Sequence, residues 1–267
     1  MTIRELYTEF QPETIKEIEY EAIGRDGQTA IKTRSVLVEH ALDVYINTVH
    51  TMKLICIPTQ LTELVLGRLL TEGIISSISE VEDIYICRYG KQAYVTLADK
   101  EDSAYDSSDY VETTPSCCTG NRILNDYFVN DLPLKKIDPI DWKADWIYAL
   151  SERFEEGMPL HSETGATHSC FLMTAGKILF TCEDIGRHNA LDKAIGYALR
   201  HEIDLKKCIA FSSGRIPTDM AMKAIQAGIP ILATKSSVTD AAIELAEAYD
   251  LTLLGKCRRH EFAKYTG

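Results

Sequence analysis

The first hundred residues alternate between apolar and polar side chains, the period of strands with one buried face. Residues 17–22 put Ile18, Tyr20 and Ala22 on one face, and 42–49 carry the same rhythm into the apolar run 54–57. The period then changes. Pro58-Thr59-Gln60 opens a helix in which Leu61, Leu64, Leu66, Leu69 and Leu70 form an apolar face, closed by Gly73. Two further strands are predicted at 84–87 and 93–97. This part reads as an α+β unit of ordinary domain size.

From residue 141 the order differs. A helix over 142–154 ends at Gly157-Met158-Pro159, a polar loop (160–168) leads into a strand at 170–173, and Gly176 turns a hairpin into a strand at 178–182. A helix follows, with Leu191, Ala194, Ile195, Ala198 and Leu199 as its apolar stripe and Asp184 as its expected N-cap. Then come strand 208–212, helix 218–226, strand 229–234, helix 239–249 and strand 251–254. Short apolar strands alternating with helices predict a largely parallel sheet covered on both faces. Ligands of such sheets sit beyond the carboxyl ends of the strands. The turns 183–189, 212–218, 234–239 and 255–260 are therefore expected on one edge.

Composition narrows the function. The 267 residues are 45% hydrophobic and 25% charged, with a net charge of −12. That acidity argues against non-specific binding to nucleic acid or anionic membrane. No apolar run is long enough to span a bilayer, and residues 1–17 lack a signal-peptide core, so a cytoplasmic protein is expected. Of the eight cysteines, Cys56, Cys87, Cys170 and Cys208 sit in apolar runs as small core residues, and disulfides are not expected in that compartment. Residues 99–112 carry six acids against Lys100, a net of −5, and read as an exposed linker or loop.

The candidate chemistry lies in the turns. Residues 183–189 hold acids, Arg187, His188 and Asn189 between a strand and a helix, where α/β proteins present backbone N–H groups to anions. A connecting turn with a capping Asp and a buried His is the other reading. Ser212-Ser213-Gly214-Arg215 offers hydroxyls, a bare backbone and a guanidinium to phosphate, and Lys235-Ser236-Ser237 repeats the recipe. Lys256, Cys257, Arg258, Arg259, His260 and Glu261 follow the last strand, with bases that suit a pyrophosphate clamp or a solvated tail. There is no P-loop and no GxGxxG. His161, His168 and His188 suit metal ligation, proton transfer or structure. No His-x-Glu is paired with Pro-Cys-x-x-Cys, so the zinc-deaminase site is absent. Without Cys-x-x-Cys no structural zinc is expected, and no residue is assigned to a metal. Cys117-Cys118 lies in a Pro/Ser/Gly loop. Adjacent cysteines rarely bridge each other; the pair suits nucleophilic sulfur chemistry or is incidental.

The run 183–193 resembles the signature of the formate dehydrogenase accessory sulfurtransferases, the FdhD/NarQ family. So do residues 67–75, the loop from Thr164-Gly165 to His168, Ser213-Gly214-Arg215, and the last strand with residues 256–265. The resemblance implies a cytidine-deaminase-like α/β three-layer sandwich over 113–267, with a smaller N-terminal α+β domain over 1–112, as a homodimer. It implies a sulfurtransferase that moves sulfur from a cysteine desulfurase, through a cysteine persulfide, to the molybdenum cofactor of formate dehydrogenase. That cofactor is bis-molybdopterin guanine dinucleotide, of which GDP is a mimic. The family loop reads Ser-Cys-Gly-x-Cys-Gly. Here Cys117 takes the first cysteine's place, Cys118 stands at a glycine and Gly120 at the second cysteine.

The expectation is that Cys117, with Cys118 beside it, carries sulfur. Arg187, Arg215 and the 256–261 bases would neutralise phosphates, Ser213 and Gly214 would contact them, and His168 or His188 would position or protonate sulfur. Two rivals stand beside it: a chaperone that holds the cofactor without moving sulfur, and a divergent deaminase. No nucleic-acid or membrane partner is expected.

Overall fold

Two six-stranded sheets flank a layer of helices in the computed structural model of the chain, which describes residues 1–98, 112–114 and 134–267. The first sheet runs β1 (Thr2–Glu5), β6 (Val81–Ile86), β7 (Gln92–Leu97), β4 (His40–Ile46), β5 (Val49–Cys56), β8 (Glu112–Thr114). Alternation works as expected here: Leu42, Val44 and Ile46 face inward and are fully buried. The predicted strand over 42–49 is in fact two. Asn47 and Thr48 take positive φ values of 44° and 75°, the two-residue turn whose twist matches an antiparallel pair.

The alternation in 17–22 has a different outcome. Strands β2 (Ile15–Ile23) and β3 (Thr29–Leu37) pair only with each other in a separate hairpin. Its Ile18 and Tyr20 remain 43% and 42% exposed, so the pattern marks an open face rather than a core face.

The helix expected after Pro58 is α2 (Leu61–Thr71). Its sequence suggests one apolar face, yet every residue in it is buried. The cause is α5 (Arg187–Arg200), which packs against it from the other sheet. The two cross at glycines: a Cβ on Gly67 would lie 1.8 Å from the Asp192 carbonyl oxygen, and one on Gly196 would lie 1.8 Å from that of Glu63. Such backbone contact leaves no room for any side chain. A buried charge network lies beside the crossing. Arg68 meets Asp192 at 3.4 Å and Glu72 at 3.1 Å. Lys223, on α6 (Thr218–Ala227), reaches Asp192 at 2.8 Å. Burial, then the Arg68 charge, pull the Lys223 pKa down against the pull of Asp192 and Glu72. One apolar core runs through this layer and joins both sheets.

The second sheet runs β10 (Lys177–Asp184), β9 (His168–Thr174), β11 (Cys208–Ser212), β12 (Ile231–Thr234), β13 (Thr252–Gly255), β14 (Ala263–Lys264). It is mixed rather than largely parallel. The hairpin at Gly176 exists, and it inserts β9 antiparallel between β10 and β11; β11, β12 and β13 are parallel. Alternate residues feed two cores. Cys170, Leu172 and Ala210 face the helix layer. Phe171, Met173 and Phe211 face α3 (Ala144–Glu155), whose Ile147 and Leu150 close the far side. α7 (Asp240–Ala248) packs against α6. Cys56, Cys170 and Cys208 are free, buried thiols, and burial pushes Cys208 up to about 12; Cys87 is free and partly buried. Among the described residues no helix is long and apolar enough to cross a membrane.

In an ordinary helix Gly→Ala adds about 1 kcal/mol of stability. Gly196→Ala should instead lower it by roughly 3 kcal/mol, because overpacking drives the helices apart. Urea denaturation reads the sign, and a gain would contradict the crossing.

Candidate functional site

Because β9 runs backward between β10 and β11, the strands β10, β11, β12 and β13 all end on the same edge, and β9 begins there. The four expected turns do gather on that edge. Backbone bonds stitch neighbours together: Ile216 N–H donates to the Ser237 carbonyl at 2.9 Å, and Lys256 N–H to that of Ser236 at 2.8 Å.

The tightest convergence lies where β10, β9 and β11 meet. Gly214 packs so closely that a Cβ there would sit 2.8 Å from Arg187 Cδ and 3.3 Å from His168 Nδ1. Its missing side chain is what lets Arg187 and His168 approach. His168 Nδ1 lies 3.1 Å from Ser213 Oγ, which also accepts the Ser169 N–H at 2.9 Å. Burial, then Arg187, His161, His188 and Arg215, lower the His168 pKa, so its imidazole is neutral at pH 7. Arg187 Nε is buried and has no hydrogen-bond partner among the described residues. The N-terminus of α5 opens on this point without a side-chain cap, whereas the first turn of α6 already holds the Asp219 carboxylate, which accepts the Met220 N–H at 2.8 Å. Unpaired helix N–H groups and their dipoles favour an anion. Arg215 is exposed beside them.

His188 and Asp219 form a second pair, Nε2 to Oδ2 at 2.8 Å. Burial opposes ionisation of Asp219, but the His188 bond and charge, the Met220 N–H and Arg187 outweigh it and lower the pKa. Asp219 escapes sequence reading. In Pro217-Thr218-Asp219 it looks like an ordinary first-turn acid.

Two acids of the 183–189 turn serve as scaffold. Asp184 is not the N-cap; Gly186 occupies that position. The Asp184 carboxylate turns inward instead, meets Lys193 Nζ at 2.6 Å, and accepts from Asn189 Nδ2 at 2.9 Å and Ile57 N–H at 3.3 Å. Both charges are fully buried, so each needs the other. Asn189 also donates to the Ile55 carbonyl at 2.7 Å, which fastens this turn to the end of β5. Glu183 accepts from the Leu160 and His161 N–H groups and from Thr167 Oγ1 at 2.7 Å. It thereby holds α4 (Pro159–Thr164) and the loop that leads to His168.

Residues 256–261 join the neighbouring 234–239 turn. They lie two strands beyond β11, at whose end Arg187 packs against Gly214. Arg258 donates to the Lys235 carbonyl, and Arg259 pairs with Glu155, which also meets Lys235 at 3.8 Å. Cys257 faces the core, where burial pushes its thiol up to about 11. Lys256, His260 and Glu261 are exposed. Cys117 and Cys118 lie outside the described residues.

The site thus defines a mixed α/β protein with Arg187, Arg215 and His168 gathered around Gly214 at a strand edge. A sequence model of the FdhD/NarQ family matches residues 37–267. The sulfur carrier protein FdhD of Bacillus pumilus is 37% identical over 245 residues, which cover 91% of this chain and 92% of that protein. That of Geobacillus kaustophilus is 33% identical with the same coverage. The crystal structure of a Desulfotalea psychrophila protein assigned as a formate dehydrogenase accessory protein superposes with a TM-score of 0.75 at 20% identity, covering 96% of this chain and 98% of that one. The chain belongs to the FdhD/NarQ family.

Asp184→Asn leaves Lys193 buried without its countercharge. It should cost roughly 3–5 kcal/mol, read by denaturant unfolding, and a loss under about 1 kcal/mol would contradict the scaffold role.

Proposed function

We propose that this chain is a sulfur carrier serving formate dehydrogenase, and that it moves sulfur as a persulfide on Cys117 from a cysteine desulfurase to the molybdenum cofactor. The observation that carries the cofactor half is Arg187: a buried guanidinium nitrogen without a partner among the described residues, beside His168, Ser213 and a bare Gly214. The names of the relatives, sulfur carrier proteins, carry the other half.

The donor set fits bis-molybdopterin guanine dinucleotide. Arg187, Arg215, Ser213 and the N-terminus of α5 suit its phosphates. Lys256 and His260, exposed on the same strand edge, suit its more distant portion. When bound, the group supplies the metal centre that receives sulfur. The chain's own residues bind and orient. Arg187 and Arg215 offset phosphate charge, Ser213 donates or accepts through its hydroxyl, and neutral His168 gains a proton as negative charge arrives. Sulfurtransferase activity, a cytoplasmic setting, homodimer formation, a boundary near residue 112 and a cytidine-deaminase-like topology for the second half belong to the same reading.

Incubation with a cysteine desulfurase and cysteine should add about 32 Da, one sulfur atom on a thiolate, at Cys117 by mass spectrometry. No addition, or an addition that survives Cys117→Ala, contradicts the persulfide route. Formate dehydrogenase activity sustained by a Cys117→Ala/Cys118→Ala variant would favour holding the cofactor without sulfur transfer.

His168 supplies a pH test with a definite sign. By NMR it should titrate below the ordinary histidine value of about 6.5. GDP should raise that midpoint, because a nearby anion favours imidazolium. Arg187→Ala should weaken GDP binding at least about tenfold, the loss of one charge-assisted bond. A midpoint unmoved by saturating GDP would contradict the site.

A further inference from the structure

Asp219 is a carboxylate set among the cations that would hold phosphate, and its place on a helix does not account for it. Asp145 and Asp240 also occupy first turns, on α3 and α7, and both are exposed. Asp219, in the first turn of α6, is turned in, with its side chain 19% exposed. Its Oδ2 lies 2.8 Å from His188 Nε2, and its Oδ1 accepts the Met220 N–H at 2.8 Å. The carboxylate is thereby held between α5 and α6. It follows Ser213, Gly214 and Arg215 in the same connection from β11 to α6, and Arg187 lies close enough to help lower its pKa. Burial opposes ionisation, but the His188 bond and charge outweigh it, so Asp219 is negative at pH 7. The site therefore contains an anion of its own. Arg187 and Arg215 are its permanent cations and His168 is neutral. The His188–Asp219 pair adds no net positive charge, whether or not the imidazole is protonated. Such a set offsets about two negative charges at most.

We propose that Asp219 is a specificity-determining residue of the phosphate site: its charge admits the pyrophosphate diester of a dinucleotide and penalises the terminal phosphate of a free nucleotide. The proposal rests on the reading of Arg187, Arg215 and Ser213 as phosphate ligands and names the phosphate chemistry they take. A phosphate within a diester carries one charge, and a terminal phosphate gains a second with a pKa near about 6. The pyrophosphate of a dinucleotide thus carries about −2, GDP about −3 and GTP about −4 at pH 8. Without Asp219, a cluster of arginines would favour the most highly charged guest. With it, each charge beyond those that the arginines offset meets a carboxylate that His188 and the Met220 N–H hold in place. A site for a guanine dinucleotide has to reject free guanine nucleotides, which share its base and sugar. Recognition of the base cannot do so, and selection by phosphate charge can.

Isothermal titration calorimetry of the full chain tests this with GDP-glucose, GDP and GTP as probes, at pH 8 and fixed ionic strength without divalent cations. Wild-type protein should bind GDP-glucose, the diester, at least as tightly as GDP, and GTP no more tightly than GDP. Asp219→Asn keeps the shape and removes the charge. It should shift the ratio of GTP to GDP affinity about fivefold towards GTP, and that of GTP to GDP-glucose about 25-fold. Asp219→Glu should keep the wild-type ranking. A merely structural role would change all three affinities by one common factor, and that outcome overturns the proposal. Wild-type protein that prefers GTP to GDP overturns it as well, and this measurement decides even if the Asn variant fails to fold. Wild-type protein that binds none of the three overturns the phosphate-site reading, and this proposal with it.

Discussion

The crossing of α2 and α5 at Gly67 and Gly196 is the constraint on which the molecule turns. Each glycine lets one helix meet the other's carbonyl oxygen with no side chain between. That contact brings the two sheets onto one core. It also sets where α5 begins, and with it Arg187 and His188. The charges beside it, Arg68, Glu72, Asp192 and Lys223, are buried and mutually paired. Buried ion pairs add little net stability, but they penalise any misaligned packing. A helix slipped by one turn would strand Asp192 and Lys223 without partners. The crossing therefore fixes register as much as it binds.

The same logic extends to the functional edge. Asp184, Lys193 and Asn189 tie the first turn of the cleft to Ile55 and Ile57, at the end of β5. Sheet and cleft are thus one mechanical unit although they derive from distant parts of the chain. Glu183 performs the equivalent task for the loop before His168. The acids of the 183–189 turn hold that turn in place, while its Arg187 packs against Gly214.

How much of this the sequence carried depends on the range of the interaction. Strand–helix alternation placed four polar turns on one edge, because that inference needs only local period and the rule for α/β sheets. It did not show β9 running antiparallel within the sheet, although the Gly176 hairpin itself was legible. Nor did it separate 42–49 into two strands, since Asn47-Thr48 lacks the glycine that usually marks such a turn. Asp184 looked like a cap because its partner, Lys193, lies a helical turn and more beyond it and points back inward. The full burial of α2 was hidden in the same way: its second face is covered by residues more than a hundred positions later. Asp219 was invisible as a site residue for want of any local cue, and the open β2–β3 hairpin carries the alternation of a buried strand without a core beneath it.

The proposed function stands on one physical claim, that Arg187, His168, Ser213 and the N-terminus of α5 together receive the phosphates of a guanine nucleotide. A crystal structure of the protein soaked with GDP tests it most directly. The account expects phosphate oxygens within hydrogen-bonding distance of Arg187 Nε and Ser213 Oγ. A nucleotide seated at the opposite edge of the second sheet, or a cleft left empty at saturating GDP, would contradict it.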